Sequence, residues 1–333
     1  MHAILVDENK ALVWSEVPDP VVNDHEVLID VRAAALNRAD LMQRAGDYPS
    51  PPGWPVWMGL EVAGVVSKAP PQSRWKNGDR VCALIGGGGY AERVAVPSEL
   101  VLPVPNGLSM VEAAAIPEAF ATSYLNIVIE GGMQAGDTVL IQGGAGGLGM
   151  AAIQLVKALG GRVMTTVGSE EKAEFVRGLG ADIVVNWKRE ELSAAMEKTP
   201  VNIALDCVGG PSLGRCIEKM APGGRWIVIA TMGGAKTELD VNLFFRRGFK
   251  LIGSTLRGRT SAMKAKVLSE LETRVWHHFS SGAIKPVIYK VLPIAQAEAA
   301  HAILQNRENL GKVVLTVNET CSHLNCCNVS GSS

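Results

Sequence analysis

Gly144, Gly146 and Gly149 stand in the spacing G-x-G-x-x-G, with Ala145, Gly147 and Leu148 filling the turn. Before them, Thr138-Val-Leu-Ile-Gln142 has the apolar make-up of a buried strand. After them, Ala151, Ala152, Leu155, Val156 and Leu159 fall on one helical face, with Gly160 placed as a C-cap. A strand, a glycine turn and a helix N-terminus form a cradle for a pyrophosphate. The glycines let the backbone approach, and the first helical turn offers unpaired N–H groups at its positive end. Without its flanking strand and helix the same spacing would be only a tight turn.

In such a fold the second strand ends beside the adenosine ribose, where an acid selects NAD. Here Arg162–Val167 runs into Gly168-Ser-Glu-Glu-Lys172, and neither Gly168 nor Ser169 is charged. That leaves room for a 2′-phosphate, with Ser169 as a hydrogen-bond donor and Lys172 as the cation. The pattern predicts NADPH rather than NADH. Glu170 and Glu171 suit the first turn of a helix. Lys172 also reads as an ordinary solvated lysine.

The 333 residues allow two domains, and a hydrophobic fraction of 47% supports substantial cores. With 32 basic and 33 acidic side chains there is no general electrostatic case for nucleic acid or an anionic membrane. The start lacks a signal-peptide pattern and no apolar run is long enough to span a bilayer, so a cytoplasmic enzyme is expected. Cys82, Cys207 and Cys216 read as buried thiols of a reducing compartment. Cys321, Cys326 and Cys327 crowd a polar tail, 318–333, that reads as a disordered end. Its glycosylation-like triplets at Asn318 and Asn328 read as chance matches.

The elements that must position these residues divide the chain. Residues 1–119 show short strands and many turns, including a proline-rich connection around Gly53 and a flexible turn at Gly86 to Gly89. Residues 120–256 alternate strands with helices, Glu170–Leu179 and Leu213–Met220 among the latter. That alternation indicates a doubly wound parallel sheet with helices on both faces, a Rossmann α/β fold. Residues 257–317 return to complete the first domain, with a helix at Ile294–Gln305 between two strands.

This order, with Ala35-Leu-Asn-Arg-Ala-Asp-Leu-Met-Gln-Arg44, Gly46-Asp-Tyr48 and Gly59-Leu-Glu-Val-Ala-Gly64, resembles the zinc-independent quinone oxidoreductases. These are the zeta-crystallin-like branch of the medium-chain dehydrogenase/reductase superfamily. The resemblance covers residues 1–317 and implies a GroES-like, mostly β catalytic domain. Zinc-dependent relatives carry a Cys and a His where this chain has Leu36, Asn37 and Leu60, so a metal-free enzyme is expected. Direct hydride transfer from NADPH to a quinone is the implied reaction.

The resemblance places Asn37, Tyr48 and Thr122 near the nicotinamide or substrate. Asn37 offers a donor and an acceptor. Tyr48 either donates to developing oxyanion charge or forms an aromatic lid, and Thr122 is either a site residue or a cap of a helix beginning near Phe120. Asp40 is expected to orient Arg44 or backbone amides, and Glu61 to be a buried structural acid. Val208, Met232, Gly233, Leu256, Arg257 and Asn309 are implied to border the cofactor. Trp187 stands where the family has a tyrosine that grips the 2′-phosphate, so that grip is either weaker or shared with Lys172 and Lys188. An enone or enoyl-thioester reductase is the alternative reaction. A cofactor-binding crystallin-like or AU-rich-RNA-binding protein, using a patch at Arg246, Arg247, Arg257 and Arg259, is the alternative of another class. Relatives imply a homodimer through the edge strand Lys250–Thr255.

Overall fold

The computed structural model describes residues 1–317; the cysteine-rich tail and its two triplets lie outside the described residues. The chain opens with an antiparallel ribbon, β1 (His2–Val6) and β2 (Leu12–Glu16). A ten-residue strand, β3 (Glu26–Ala35), follows, its side chains alternating between buried and half-buried until the last three, all buried. Helix α1 (Arg38–Ala45) ends at Gly46, whose left-handed φ of 96° closes the turn. Strands β4 (Glu61–Lys68), β5 (Arg80–Leu84), β6 (Arg93–Pro97) and β7 (Val101–Pro103) then build an antiparallel sheet on β3. Helices α2 (Met110–Ala114) and α3 (Pro117–Ser123) lead out of this domain.

Next come β8 (Thr138–Ile141), α4 (Gly147–Ala158), β9 (Arg162–Val167), α5 (Glu170–Gly178), β10 (Ile183–Asn186), α6 (Leu192–Lys198), β11 (Ile203–Asp206), α7 (Gly210–Ile217), β12 (Arg225–Val228), α8 (Val241–Arg247) and β13 (Lys250–Gly253). These six strands are all parallel, in the order β10-β9-β8-β11-β12-β13. The expected Rossmann sheet is therefore present. Gly160, at φ 78°, takes the left-handed position just past α4. Helix α7 begins three residues earlier than its apolar pattern suggests, because Gly209 at φ 62° admits the turn and Pro211 fits the first helical turn.

The chain ends with α9 (Ser261–Ser280), β14 (Ile288–Pro293), α10 (Ala297–Gln305) and β15 (Lys312–Thr316). Strand β15 pairs antiparallel with β3 and parallel with β14, so the last strands extend the first domain's sheet. The 20-residue α9 was not evident in the sequence. It buries Val267, Leu268, Leu271, Val275 and Phe279 against the first domain and α3, and Phe279 meets Phe120 edge-on at 4.9 Å. Gly86 to Gly89 is not the flexible turn expected. All four residues are buried, and a methyl on Gly86 would lie 2.6 Å from the Trp54 ring. No helix among the described residues is long and apolar enough to cross a membrane.

Phe279→Ala removes a ring 2% exposed from the junction of α9 and α3. Urea denaturation of this variant is expected to show a loss of about 3–5 kcal/mol.

Candidate active site

The parallel strands all end along one edge, and their order reverses between β8 and β11. Such a reversal opens a crevice suited to a dinucleotide. The glycine turn lies at that crevice. A methyl on Gly144 would fall 2.2 Å from Thr165 Oγ1, and one on Gly149 would fall 2.5 Å from Gly143 O, so neither position admits a side chain. Gly146 caps α4 without any side-chain hydrogen bond, leaving the first-turn N–H groups of Gly147 and Leu148 without a side-chain partner. Ala145 O accepts from Gly311 N at 2.9 Å, which ties the turn to the start of β15.

At the end of β9, Ser169 caps α5, its Oγ accepting from Lys172 N at 3.3 Å. Its hydroxyl hydrogen can still donate outward. Lys172 does not extend freely into solvent: its Nζ donates to Arg307 O at 2.6 Å. Burial lowers the Lys172 ammonium most, Glu171 raises it, and the cations Arg307 and Lys188 lower it further. Arg307 also presses on Arg38, whose guanidinium is lowered first by burial. Arg38 and Arg307 are thus neighbours of this corner that sequence reasoning missed. They lie far from the motif in the chain and meet it only in space.

Trp187, 57% exposed, lines Gly168 with its indole: a methyl on Gly168 would fall 3.2 Å from Trp187 Nε1. Across the switch, Gly233 N donates to Val208 O at 2.7 Å and Met232 N to Cys207 O at 3.2 Å, joining the loops after β11 and β12. Cys207 is only half-buried, unlike the closed thiol expected. Asn309 Nδ2 donates to Gly311 O at 2.7 Å and so shapes the turn into β15.

Leu256 and Arg257 both have buried side chains. Leu256 packs in the core. Arg257, 5% exposed, donates to Gly86 O at 2.9 Å, Tyr48 O at 2.9 Å and Gln43 Oε1 at 2.6 Å. Its guanidinium also lies 4.9 Å from the Tyr48 ring centroid. Arg257 therefore fastens the loop that carries Tyr48. It is no part of an arginine surface patch, and Arg259 is paired with Glu130 at 2.7 Å.

The buried corner below Asn37 is built around an ammonium. Lys312 Nζ donates to Glu61 Oε1 at 2.6 Å, Leu36 O at 2.7 Å and Asn37 Oδ1 at 2.8 Å. The Lys312 and Glu61 side chains are 2% and 0% exposed. Asn37 Nδ2 donates to Glu61 Oε1 at 3.0 Å and Ala35 O at 3.3 Å. Both amide hydrogens are thus used, so Asn37 keeps only an acceptor lone pair for a ligand. Asp40 accepts from Asn37 N, Gly59 N and Tyr90 Oη, not from Arg44, which pairs with Glu298. Burial pushes its carboxyl up to about 6. Thr122 is no cap: it sits inside α3 and donates from Oγ1 to Glu118 Oε1 at 3.2 Å.

Residues 23–106 match the alcohol dehydrogenase GroES-like domain family, and residues 147–273 match the zinc-binding dehydrogenase family. The quinone oxidoreductase from Thermus thermophilus, whose structures include a complex with NADPH, superposes with a TM-score of 0.80. It is 32% identical, over 95% of this chain and 100% of that one. The chain belongs to the quinone oxidoreductase branch of the medium-chain dehydrogenase/reductase superfamily. Quinone oxidoreductase-like protein 2 of Bos taurus is 29% identical over 321 residues, 95% of this chain and 92% of its own length. The CurF ER cyclopropanase from the curacin A biosynthetic pathway superposes with a TM-score of 0.81 at 26% identity, over 95% of this chain and 99% of that one.

Zinc figures in one of the family names, but the residues of this corner do not suit it. An ammonium stands at the centre of the oxygen donors and would repel a second cation, and Leu60 beside Glu61 offers no donor atom. Lys312→Met leaves the Glu61 carboxylate buried and alone. Chemical denaturation should show a loss of about 3–5 kcal/mol, and Glu61→Gln added to it should restore most of that loss.

Proposed function

We propose that this protein is an NADPH-dependent quinone reductase that transfers hydride directly, with neither metal nor flavin. The observation that carries the reading is the Lys312 ammonium held among three oxygens at the start of the strand that ties down the glycine turn. The corner next to the dinucleotide crevice already contains a fixed cation. An electron-poor acceptor such as a quinone delocalises the negative charge it receives and needs no Lewis acid to take a hydride.

The residues suit the cofactor. Gly144 to Leu148 would cradle the pyrophosphate, Ser169 and Lys172 would take the 2′-phosphate with help from Arg307 and Lys188, and Trp187 would lie along the adenine. Val208, Met232 and Gly233 would border the nicotinamide half, with Leu256 and Arg257 offering backbone and Asn309 shaping the ribose side. NADPH supplies the hydride. Asn37, Tyr48 and Thr122 are the substrate-facing polar groups, Asn37 as an acceptor only. The likeness to quinone oxidoreductases supports the acceptor class, and the likeness to the CurF ER cyclopropanase keeps activated alkenes as the comparison substrate.

Among the described residues the edge strand β13 pairs only with β12, and Leu251 on it is 41% exposed. We take this edge as the homodimer contact, since an unpaired apolar edge invites a second strand.

Steady-state oxidation of NADPH by 1,2-naphthoquinone, with a chelator present, tests the reaction. Turnover is expected to survive the chelator and to exceed that with an enoyl thioester. Activity only with the thioester would replace the quinone reading. Lys172→Ala should raise the KM for NADPH about 10- to 100-fold, the worth of a charge-assisted hydrogen bond, and leave that for NADH unchanged.

A further inference from the structure

Three carboxyl groups, on Glu61, Asp40 and Glu118, crowd the corner beneath Asn37. Glu61 is neutralised by Lys312. Its second oxygen accepts from the Glu118 backbone N–H at 2.9 Å. Asp40 is sealed, with three donors on its two oxygens.

Glu118 differs on each count. It stands in the first turn of α3, mostly buried but not sealed. Oε1 accepts one hydrogen bond, from the neutral Thr122 hydroxyl, and Oε2 has no partner among the described residues. Charged and titratable groups face it from every side. They are Glu61 of β4, Tyr48 of the loop after α1, Lys264 of α9, Arg257 just before α9 and Lys312 of β15. Burial first, and then the neighbouring Glu61 carboxylate, push the Glu118 carboxyl up to about 7, against the pull of Lys312, Thr122 and Lys264.

Reduction of a quinone by hydride needs a proton as well. Tyr48 is a poor source: burial, then Glu118, push its phenol above its ordinary value. A general acid works best when its affinity for the proton matches the working pH, and a carboxylic acid near neutrality does so where a phenol does not.

We propose that Glu118 is a catalytic residue, the proton donor to the reduced substrate, acting from its unpaired Oε2. The proposal rests on the quinone reading above. In the step, the C–H bond of the reduced nicotinamide breaks and its hydride, with both electrons, goes to the quinone. The O–H bond of Glu118 breaks as the O–H bond of the hydroquinone forms. The carboxylate left behind takes a proton from water. Thr122, donating to Oε1, holds the carboxyl plane and leaves Oε2 free to deliver. Thr122 is thereby a positioning residue.

The test compares Glu118→Gln with the parent enzyme on two acceptors. The hydroquinone of 1,2-naphthoquinone is a weak acid whose anion needs a proton. That of a tetrahalogenated benzoquinone is far more acidic and leaves as its anion. With 1,2-naphthoquinone, kcat is expected to fall about 100-fold with an unchanged KM for NADPH. The parent's kcat on this acceptor is expected to decline above pH 7, and the variant should show no such decline. With the halogenated quinone kcat should stay within twofold, which shows that the variant folds and binds cofactor. Equal loss on both acceptors, loss on neither, or a pH limb that persists in the variant would overturn the assignment. Failure of the parent enzyme to reduce either quinone while it binds NADPH would sink the quinone reading instead.

Discussion

The interaction on which the structure turns is the ion pair between Lys312 and Glu61. Its two charges come from β15 and β4, the strands on either side of β3, and meet where water is excluded. An isolated buried charge is costly, so each residue requires the other in place. Lys312 does more than neutralise. Its three donated hydrogen bonds fix Leu36, Asn37 and Glu61. Its aliphatic stem lies where a Gly147 side chain would be: a methyl there would fall 2.4 Å from Lys312 Cδ. The glycine that opens α4 is therefore needed for packing against the catalytic domain as well as for approach to phosphate. One ammonium sets the acid corner, the orientation of Asn37 and the seat of the dinucleotide turn.

Around this fixed point the more exposed parts of the site are held by contacts between segments distant in the chain. Arg257 ties the Tyr48 loop and the packed Gly86 turn to the segment leaving β13. Lys264 in turn donates to Arg257 O at 2.9 Å, so α9 braces the clamp from behind. The crevice is lined by strand ends; of the polar groups assigned to the facing side, Tyr48 is borne on a loop, Asn37 caps α1 and Thr122 stands in α3.

Much of this was legible in the residues. The strand β9 matches the expected Arg162–Val167 to the residue, and the glycine spacing located the turn, because close packing admits no side chain at Gly144 or Gly149. Fold class followed from the alternation of strand and helix. What was not legible depends on long-range meeting. Lys312 reads in sequence as one lysine after a glycine, and nothing local says that its head enters a core 251 residues away from its partner. Arg307 is likewise an ordinary residue in sequence until the fold brings it beside Lys172, with Arg38 next to it in turn. Asn37 was read as both a donor and an acceptor, and only the positions of Glu61 and Ala35 show its two amide hydrogens to be taken. Helix α9 escaped notice because its polar residues interrupt a modest apolar stripe, and its stability comes from the face it lays on α3 and the first domain.

The separation of Lys312 from Glu61 also bears on how the chain is made. A ribosome delivers the strands that hold Glu61 and Asn37 early and the lysine only after the whole dinucleotide domain has emerged. Until then the nascent catalytic sheet lacks both β15 and the counter-charge for its central acid. The Rossmann domain, whose six strands and connecting helices are contiguous in the chain, has everything it needs sooner. Vectorial synthesis thus favours an order in which the later-encoded domain settles first and the N-terminal domain waits for the final strand. Contacts of such long sequence separation form slowly in any case.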